Sequence, residues 1–330
     1  MVGSSLIRSY LKAGYKNVHA TWHKRKPSDL TNLFEIDTNS SINDEINWHQ
    51  CNFINQKESE RLLNKIKPDG VVVAAARVGG IMANSTFRAQ FIYDNTQIAS
   101  NIIHYSHINN VKKLIFLGSA CIYPTDVNQP IVEESLLTGL LEPTNEPYAI
   151  AKITGIKLCE SYFDQYEDNF YSLMPNNLYG PGDNYDLETS HVLPALIRKF
   201  HEVKINQSGK VVLWGSGNPR REFLHVDDLA SACIFAFENI NADEIYKQKI
   251  SHLNIGSGTD LSISELAEKI KNVVGYLGEI KNDLSKPDGM KQKLLDSKRI
   301  NNLGWSAKIS LDEGLISVYS DFINEKFFLK

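Results

Sequence analysis

The sequence lacks the marks of a metal-binding, disulfide-bonded or membrane-spanning protein. Four widely spaced cysteines, without a Cys-x-x-Cys pair, predict neither a metal site nor a disulfide framework, and favour a reducing, cytoplasmic setting. Apolar stretches such as residues 70–76 are far shorter than the roughly 20 residues of a membrane helix, and no signal peptide precedes them. Thirty-five basic against 39 acidic residues predict no attraction to nucleic acid or anionic membranes.

A strand before the first helix is also lacking. Residues 1–4 run directly into a helical pattern that ends near Gly14. In dinucleotide-binding folds a strand and a glycine-rich turn precede this helix, and the turn holds the pyrophosphate. Only Gly3, the last glycine of such a turn, is present. We therefore expect a longer functional chain with about 10 to 15 further residues, and expect residues 1–330 to bind cofactor weakly or fold poorly.

What is present is a chain of 330 residues, 42% hydrophobic and 22% charged, which predicts a globular protein of one large or two closely joined domains. Strand-length apolar runs alternate with helical patterns, which predicts an α/β fold with a doubly wound, Rossmann-like parallel sheet. After residue 179, glycine clusters predict a smaller C-terminal α/β lobe. A polar stretch at about 27–47 predicts a surface insertion. The predicted strands are 17–21, 70–75, 113–117 and 171–174, and the predicted helices are 58–66, 91–108 and 148–166.

Three residues form a pattern suited to proton exchange with a carbonyl. Tyr148 and Lys152 are four apart on a predicted helix and so share one face. We expect the ammonium to lower the pKa of the phenol from its ordinary value of about 10. Ser119 follows the strand 113–117, at the sheet edge where ligands bind. An exposed helix pair and a turn serine are the alternatives for each motif taken alone.

Two further residues are candidates for a second kind of proton transfer. Cys121 lies two residues after Ser119, where a thiolate could remove a proton from carbon next to a ketone. His191 begins a helical pattern in the second lobe and can exchange a proton near neutral pH. Taken alone, a buried structural cysteine and a surface or capping histidine are the more common outcomes.

Longer motifs resemble the GDP-L-fucose synthase family of extended short-chain dehydrogenases/reductases. The resemblance covers nearly the whole chain except about 27–47, and it implies NADP(H) as cofactor, a homodimer, and epimerisation at C3 and C5 of GDP-4-dehydro-6-deoxy-D-mannose followed by reduction at C4. The motifs are Arg77–Asn84, Ser119–Pro124, Glu142–Lys152, Trp214–Gly217, Arg221–Asp228 and Ser285–Gly289.

The resemblance also implies roles for individual residues. Ser119, Tyr148 and Lys152 correspond to the reductase triad, and Cys121 and His191 to the base and acid of epimerisation. It divides the chain into an NADP-binding domain, 1–176, and a mainly substrate-binding lobe, 177–330. The implied substrate contacts are Lys199, Trp214, Arg221 and Asp288. The implied cofactor contacts are Gly3, Arg25, Asn52, Phe53, Leu117, Gly118, Lys152, Pro175, Asn176, Asn177, Leu178 and His191.

Two alternatives remain open from the sequence. One is a related nucleotide-sugar epimerase/reductase acting on a different sugar, such as a GDP-colitose synthase. The other is a non-catalytic Rossmann-like binding protein, because most of the glycine turn is absent. The presence together of Ser119, Cys121, Tyr148, Lys152 and His191 argues against the second alternative.

Overall fold

The protein is described here from a computed structural model that covers residues 1–24, 46–207, 209–286 and 288–324. Helices and strands alternate through the first half of the chain, as a parallel sheet with helical crossovers requires. The elements to residue 179 are α1 (Val2–Lys12), β1 (Val18–Trp22), β2 (Ile46–Gln50), α2 (Gln56–Ile66), β3 (Gly70–Val73), α3 (Ile81–Thr86), α4 (Arg88–Ile108), β4 (Lys113–Leu117), α5 (Glu146–Tyr166), β5 (Phe170–Pro175) and β6 (Asn177–Tyr179).

The second half contains shorter strands between helices. Its described residues include four helices of 12 to 15 residues and two shorter ones, and its turns use glycines with positive φ such as Gly215 and Gly217. The elements are α6 (Val192–Asn206), β7 (Val211–Trp214), β8 (Arg220–His225), α7 (Val226–Asn239), α8 (Ala242–Tyr246), β9 (His252–Ile255), β10 (Asp260–Ser262), α9 (Ile263–Val274), β11 (Ile280–Asp283), β12 (Gln292–Lys293), α10 (Lys298–Leu303) and α11 (Leu311–Asn324).

The main sheet is parallel and has the order β3-β4-β5-β9. Its central strands are apolar at nearly every position, because helices cover both faces. Helix α5 approaches β4 closely at Gly155, where an added Cβ would lie 2.3 Å from the Phe116 ring. This close packing matters for function, because α5 carries Tyr148 and Lys152 to the end of β4.

Strands β1 and β2 form a separate two-stranded parallel sheet. In the described part of the chain, no strand precedes α1, and β1 is not paired with β3. In the described residues, β1 and β2 are therefore separate from the main sheet. Helix α1 is held instead against α7, where Ser5 Oγ donates to the Asp227 carboxylate (2.5 Å) and Arg8 pairs with the same group (3.0 Å).

The second lobe has its own apolar core beside the main sheet. Strand β8 pairs with β6, β10 and β12, and β7 pairs with β11. Helices α6, α9 and α11 cover these strands with buried side chains such as Phe200, Leu266 and Phe322. Strand β9, from the second half of the chain, pairs with β5 in the main sheet, so residues 177–330 also contribute to that sheet. The division into two domains at residue 176 stays a prediction.

The expected α/β fold is confirmed, with differences at the ends of elements. Strand 113–117 is observed as predicted, while α4 begins three residues earlier than expected, at Arg88. Most of the proposed insertion lies outside the described residues. Its last two residues, Ile46 and Asn47, are instead the start of β2, and Ile46 is buried. No helix in the described ranges is long and apolar enough to cross a membrane.

Candidate active site

The carboxyl end of β4 presents the first groups of the site. The Gly118 N–H donates to the Leu173 carbonyl (2.9 Å), so pairing with β5 continues one residue beyond the strand. Ser119 then leads into a single 3-10 turn, Ala120–Ile122. This turn directs Cys121 inward, where it is only 8% exposed. A hydroxyl and a thiol thus lie together at the sheet edge that binds ligands in parallel α/β folds.

Helix α5 brings Tyr148 and Lys152 to the same edge. The Lys152 Nζ donates to the Leu117 carbonyl (2.7 Å) and lies 5.7 Å from the centre of the Tyr148 ring. Both side chains face the sheet because residues four apart share a helix face. Ser119, Cys121, Tyr148 and Lys152 therefore form one buried cluster, which we call the reaction cluster.

The electrostatics of this cluster differ from the sequence-based expectation. Burial raises the pKa of Tyr148 above its ordinary value, the nearby Cys121 thiol adds to the rise, and a hydrogen bond with Ser119 opposes it. Burial also lowers the pKa of Lys152 to about 8. The pKa of the phenol is therefore raised, not lowered as expected, because desolvation outweighs the hydrogen bond with Ser119.

Lys293 is a member of the site that sequence reasoning missed. Burial raises the pKa of the Cys121 thiol, and the charge of Lys293 opposes that rise, together with Ser119 and Lys152. Lys293 comes from the two-residue strand β12, where it pairs with Arg221 on β8. No local pattern distinguishes such a short strand, so only tertiary structure brings this ammonium to the thiol.

His191 lies apart from the reaction cluster. It is the N-cap residue of α6 in the second lobe, and its side chain makes no capping hydrogen bond. Among the described residues, its ring also makes no hydrogen bond to Ser119, Cys121, Tyr148 or Lys152. His191 is exposed at the surface, yet desolvation by the protein near it lowers its pKa, because desolvation disfavours the imidazolium.

The predicted nucleotide-binding residues gather around an exposed indole. Trp214, at the end of β7, is 54% exposed. Two ammonium groups lie near its ring centre, Lys199 at 5.6 Å and Lys286 at 5.4 Å. Lys286 was not identified from the sequence. An open aromatic face beside two cations suits a flat base that carries phosphate groups.

The other two predicted substrate residues lie on either side of this surface. Arg221 is held by backbone carbonyls, since its Nη1 donates to Arg220 (2.8 Å) and Met290 (2.6 Å). Asp288 accepts hydrogen bonds from the Ser216 N–H (2.8 Å) and Oγ (2.7 Å). We call the region of Lys199, Trp214, Arg221, Lys286 and Asp288 the nucleotide-binding surface, after its predicted role. Arg221 is the register partner of Lys293, whose charge acts on Cys121 of the reaction cluster.

Comparison with known proteins identifies the family. Residues 1–256 match the NAD dependent epimerase/dehydratase family. The chain is 55% identical over 262 residues to a GDP-L-fucose synthase of Escherichia coli, covering 78% of this chain and 81% of that one. It is 52% identical to a GDP-L-fucose synthase of Sinorhizobium fredii, covering 98% and 93%. The chain belongs to the GDP-L-fucose synthase family.

Relatives named for other sugars are less similar to this chain. A GDP-L-colitose synthase of Yersinia pseudotuberculosis is 38% identical, covering 84% of this chain and 88% of that one. The solved structure of a GDP-mannoheptose C4 reductase from Campylobacter jejuni with NADP bound is 36% identical, with a TM-score of 0.79 and coverage of 94% and 99%. Both of these relatives match this chain over most of its length.

The residues expected to hold cofactor in this family lie along the ends of the strands. Leu117 and Gly118 end β4, and Pro175–Leu178 joins β5 to β6. Gly3 lies inside the first turn of α1, not before the helix as expected, and the space above it is open. Arg25 lies outside the described residues.

Asn52 and Phe53 follow β2, on the side of the fold expected to receive adenine. Glu58 accepts a hydrogen bond from the Asn52 N–H (2.9 Å), and Asn101 donates to the Phe53 carbonyl (2.8 Å). These two bonds fix the backbone of the loop after β2. The residues' role in binding stays a prediction.

Glu222 supports the cofactor loop and was also missed by sequence reasoning. This fully buried carboxylate accepts hydrogen bonds from Asn176 Nδ2 (2.6 Å), the Gly258 N–H (2.7 Å) and the Leu295 N–H (3.0 Å). It joins the loop after β5 to the strands that carry Arg221 and Lys293. In the sequence, Glu222 follows two arginines, a pattern typical of a surface ion pair and not of a buried carboxylate that holds a loop.

Proposed function

We propose that this protein is an NADPH-dependent enzyme that epimerises GDP-4-dehydro-6-deoxy-D-mannose at C3 and C5 and reduces it at C4, giving GDP-L-fucose. The observation that carries the proposal is the reaction cluster, in which Cys121, the proposed base of epimerisation, lies together with Ser119, Tyr148 and Lys152, the proposed residues of reduction. A 4-ketone needs both, because it acidifies its neighbouring C–H bonds and later accepts hydride. The GDP-L-fucose synthase relatives support this assignment.

Epimerisation uses Cys121 and His191. The thiolate of Cys121 removes the proton from carbon next to the ketone, and the electron pair moves onto the ketone oxygen. His191 then gives a proton to the opposite face of the same carbon, and the carbonyl re-forms with inverted configuration. The charge of Lys293 favours the thiolate against the effect of burial.

Reduction uses Tyr148, Lys152 and Ser119. NADPH, when bound, supplies the hydride to C4. The Tyr148 hydroxyl gives its proton to the ketone oxygen, and the Ser119 hydroxyl holds that oxygen. The raised pKa of Tyr148 keeps the phenol protonated before this step. The Lys152 ammonium stabilises the phenolate that remains until solvent returns the proton.

The residues present fit a dinucleotide cofactor. Lys152 has three ammonium protons but, among the described residues, a single hydrogen-bond acceptor, the Leu117 carbonyl. Two donors in a buried site therefore remain for ribose hydroxyls. The open space above Gly3, in the first turn of α1, leaves a helix N-terminus accessible to a diphosphate.

Tyr148→Phe tests the assignment by separating the two steps. The variant loses the proton for C4 but keeps Cys121 and His191. We expect solvent deuterium still to enter C3 and C5 while NADPH oxidation falls about 100-fold or more. Equal loss of both activities in a folded variant would contradict the proposed division of labour.

The identity of the sugar is tested with separate GDP-sugar ketones. GDP-4-dehydro-6-deoxy-D-mannose should be the preferred substrate by kcat/KM, because relatives named for fucose reach 55% and 52% identity with this chain, against 38% for the one named for colitose. Preference for the colitose precursor would favour the alternative enzyme. Absence of NADPH binding in a fluorescence titration would favour a non-catalytic binding protein.

We also propose that the protein is a homodimer formed through α4 and α5. These long helices pack on each other, yet they leave Ile92, Tyr93 and Ile150 exposed by 37%, 59% and 39%. A groove of about 360 Å³ lies between them, bordered by Arg88 and Glu146. A second copy would bury this apolar surface.

Tyr93→Glu should convert the dimer to a monomer in light scattering, and an unchanged mass would contradict the proposal.

A cytoplasmic location is the final part of the proposal. All four cysteines are free and buried, and Cys121 needs a reduced thiol for its proposed role. Fractionation of cells of the source organism, followed by immunoblotting, tests this location.

A further inference from the structure

The loop between β3 and α3, residues 77–80, belongs to a motif of the sequence that the mechanism above does not use. This glycine loop, as we call it, is firmly braced. Asn95 accepts from the Arg77 N–H (2.8 Å) and donates to the Arg77 carbonyl (3.0 Å). Asn84 Nδ2 donates to the carbonyls of Gly79 (2.6 Å) and Gly80 (3.0 Å). A loop fixed at both ends is suited to supporting another part of the molecule.

Gly80 is the point at which the loop touches the second lobe. Its N–H donates to the Thr189 carbonyl (2.9 Å). An added Cβ would lie 2.6 Å from the Ser190 carbonyl oxygen and 3.3 Å from that of Thr189. The φ of Gly80 is −67°, which any residue adopts, so the backbone itself does not need glycine here. Glycine is needed because the two backbones approach so closely.

The segment that Gly80 contacts leads directly to His191. Ser190 and His191 are adjacent, and His191 is the N-cap residue of α6, so a shift of the Ser190 carbonyl would move the backbone that carries the imidazole. Asp186 holds the same segment from the other side, accepting from the Thr189 and Ser190 N–H groups (2.9 and 3.0 Å). The backbone before His191 is thus held between the loop and Asp186.

The other side of the glycine loop faces the reaction cluster. An added Cβ on Gly79 would lie 3.3 Å from the Phe91 ring. Phe91 packs edge-to-face on Tyr148, with ring centres 6.2 Å apart. The glycine loop is thus close to the backbone before His191 at Gly80 and, through Phe91, close to Tyr148 of the reaction cluster.

We propose that Gly80 is a positioning residue for epimerisation. It fixes the backbone before His191 so that the imidazole reaches the face of the sugar opposite Cys121. This inference rests on the proposed function, because it needs His191 to be the proton donor. It predicts that a methyl group at position 80 impairs inversion at C3 and C5 and spares reduction.

The test measures the composition of the product. Each variant is incubated with GDP-4-dehydro-6-deoxy-D-mannose and NADPH, and NMR gives the ratio of inverted to uninverted reduced sugar. We expect Gly80→Ala to lower this ratio about 10- to 100-fold, because a displacement of about 1 Å at a reacting group can reduce the rate of its step by that factor. The ratio does not depend on the amount of folded enzyme, so a loss of stability alone does not change it.

Three further variants make the result decisive. His191→Gln gives the ratio expected when the donor is absent, and an unchanged ratio there would contradict the proposed function itself. A lowered ratio in His191→Gln with a normal ratio in Gly80→Ala would overturn only the present inference. Ile81→Ala, at a neighbouring side chain that is 63% exposed, should leave the ratio unchanged.

Asn84→Ala covers the case in which Gly80→Ala does not fold. It removes two hydrogen bonds that brace the glycine loop and leaves position 80 intact. We expect a smaller decrease in the same ratio. If the ratio stays at its parent value in Asn84→Ala, the loop does not position His191 and the inference is wrong.

Discussion

The reaction cluster and the nucleotide-binding surface are opposite ends of one site and differ in how they are built. Cys121 and Lys152 are 8% and 5% exposed, and burial shifts the pKa values of both. Trp214 is 54% exposed, and Asp288 lies on an open loop. The difference shows that desolvation is concentrated at the residues proposed to transfer protons, while the surface proposed to bind GDP offers an accessible aromatic ring and accessible charges. Substitutions at the buried end should affect rate and stability, and those at the open end should affect binding.

Lys152→Met should have the largest effect. We expect NADPH oxidation to fall about 1000-fold, because the phenolate of Tyr148 loses its cation. The same change should stabilise the cofactor-free protein at pH 7 by up to about 3 kcal/mol, since the folded protein no longer holds a buried ammonium. Assays of NADPH oxidation and urea denaturation measure the two effects.

The stabilisation by Lys152→Met should depend on pH. The pKa of Lys152 in the folded protein is about 8, below its ordinary value of 10.5. The whole free-energy penalty for burying the charged form is therefore present below pH 8. This penalty decreases as pH rises from about 8 to 10.5, and the difference between variant and parent should decrease with it. A constant difference over that range would mean that burial of Lys152 does not control stability.

Cys121→Ser should have the next largest effect. A hydroxyl is a much weaker acid than a thiol, so we expect solvent deuterium exchange at C3 and C5 to fall about 100-fold. The KM for NADPH should stay near the parent value. Near-normal exchange would exclude Cys121 as the base, and a change in stability alone would favour a structural cysteine.

Lys293→Met should have a smaller effect of the same kind. Without this ammonium the pKa of the Cys121 thiol should rise, so the pH range in which the rate of deuterium exchange increases should shift upward from that of the parent. Near pH 7 the exchange rate should be about tenfold lower than in the parent. Lys291→Met is the matched control, because Lys291 is exposed nearby. Equal pH profiles for both variants would show that Lys293 does not act on the thiol.

Trp214→Leu should have the smallest effect and should confirm the contrast between the two ends. Loss of the aromatic face should raise the KM for the GDP-sugar about fivefold, with kcat and Tm unchanged, because the indole is half exposed. Trp214→Phe should restore most of the affinity. A large decrease in kcat or Tm would mean that the open end also supports the buried one.

The main catalytic pattern could be predicted because it is local in the sequence. Tyr148 and Lys152 share a helix face through their spacing of four, and Ser119 and Cys121 follow a short apolar strand. His191 was predicted through family motifs, but its own surroundings carry no local signal. Lys293 and Glu222 could not be found this way, since their functions depend on strands β12 and β8 that pair across the chain.

By itself, the amino-acid sequence determined the alternation of strands and helices, the family, and the residues placed by short-range periodicity, because these depend on contacts between near neighbours along the chain. Tertiary structure decided the rest. It divided the sheet between β1 and β3, raised the pKa of Tyr148 by burial, brought Lys293 to Cys121, and set Gly80 against the backbone before His191. The physical reason is that desolvation and close backbone approach depend on which distant segments pack together.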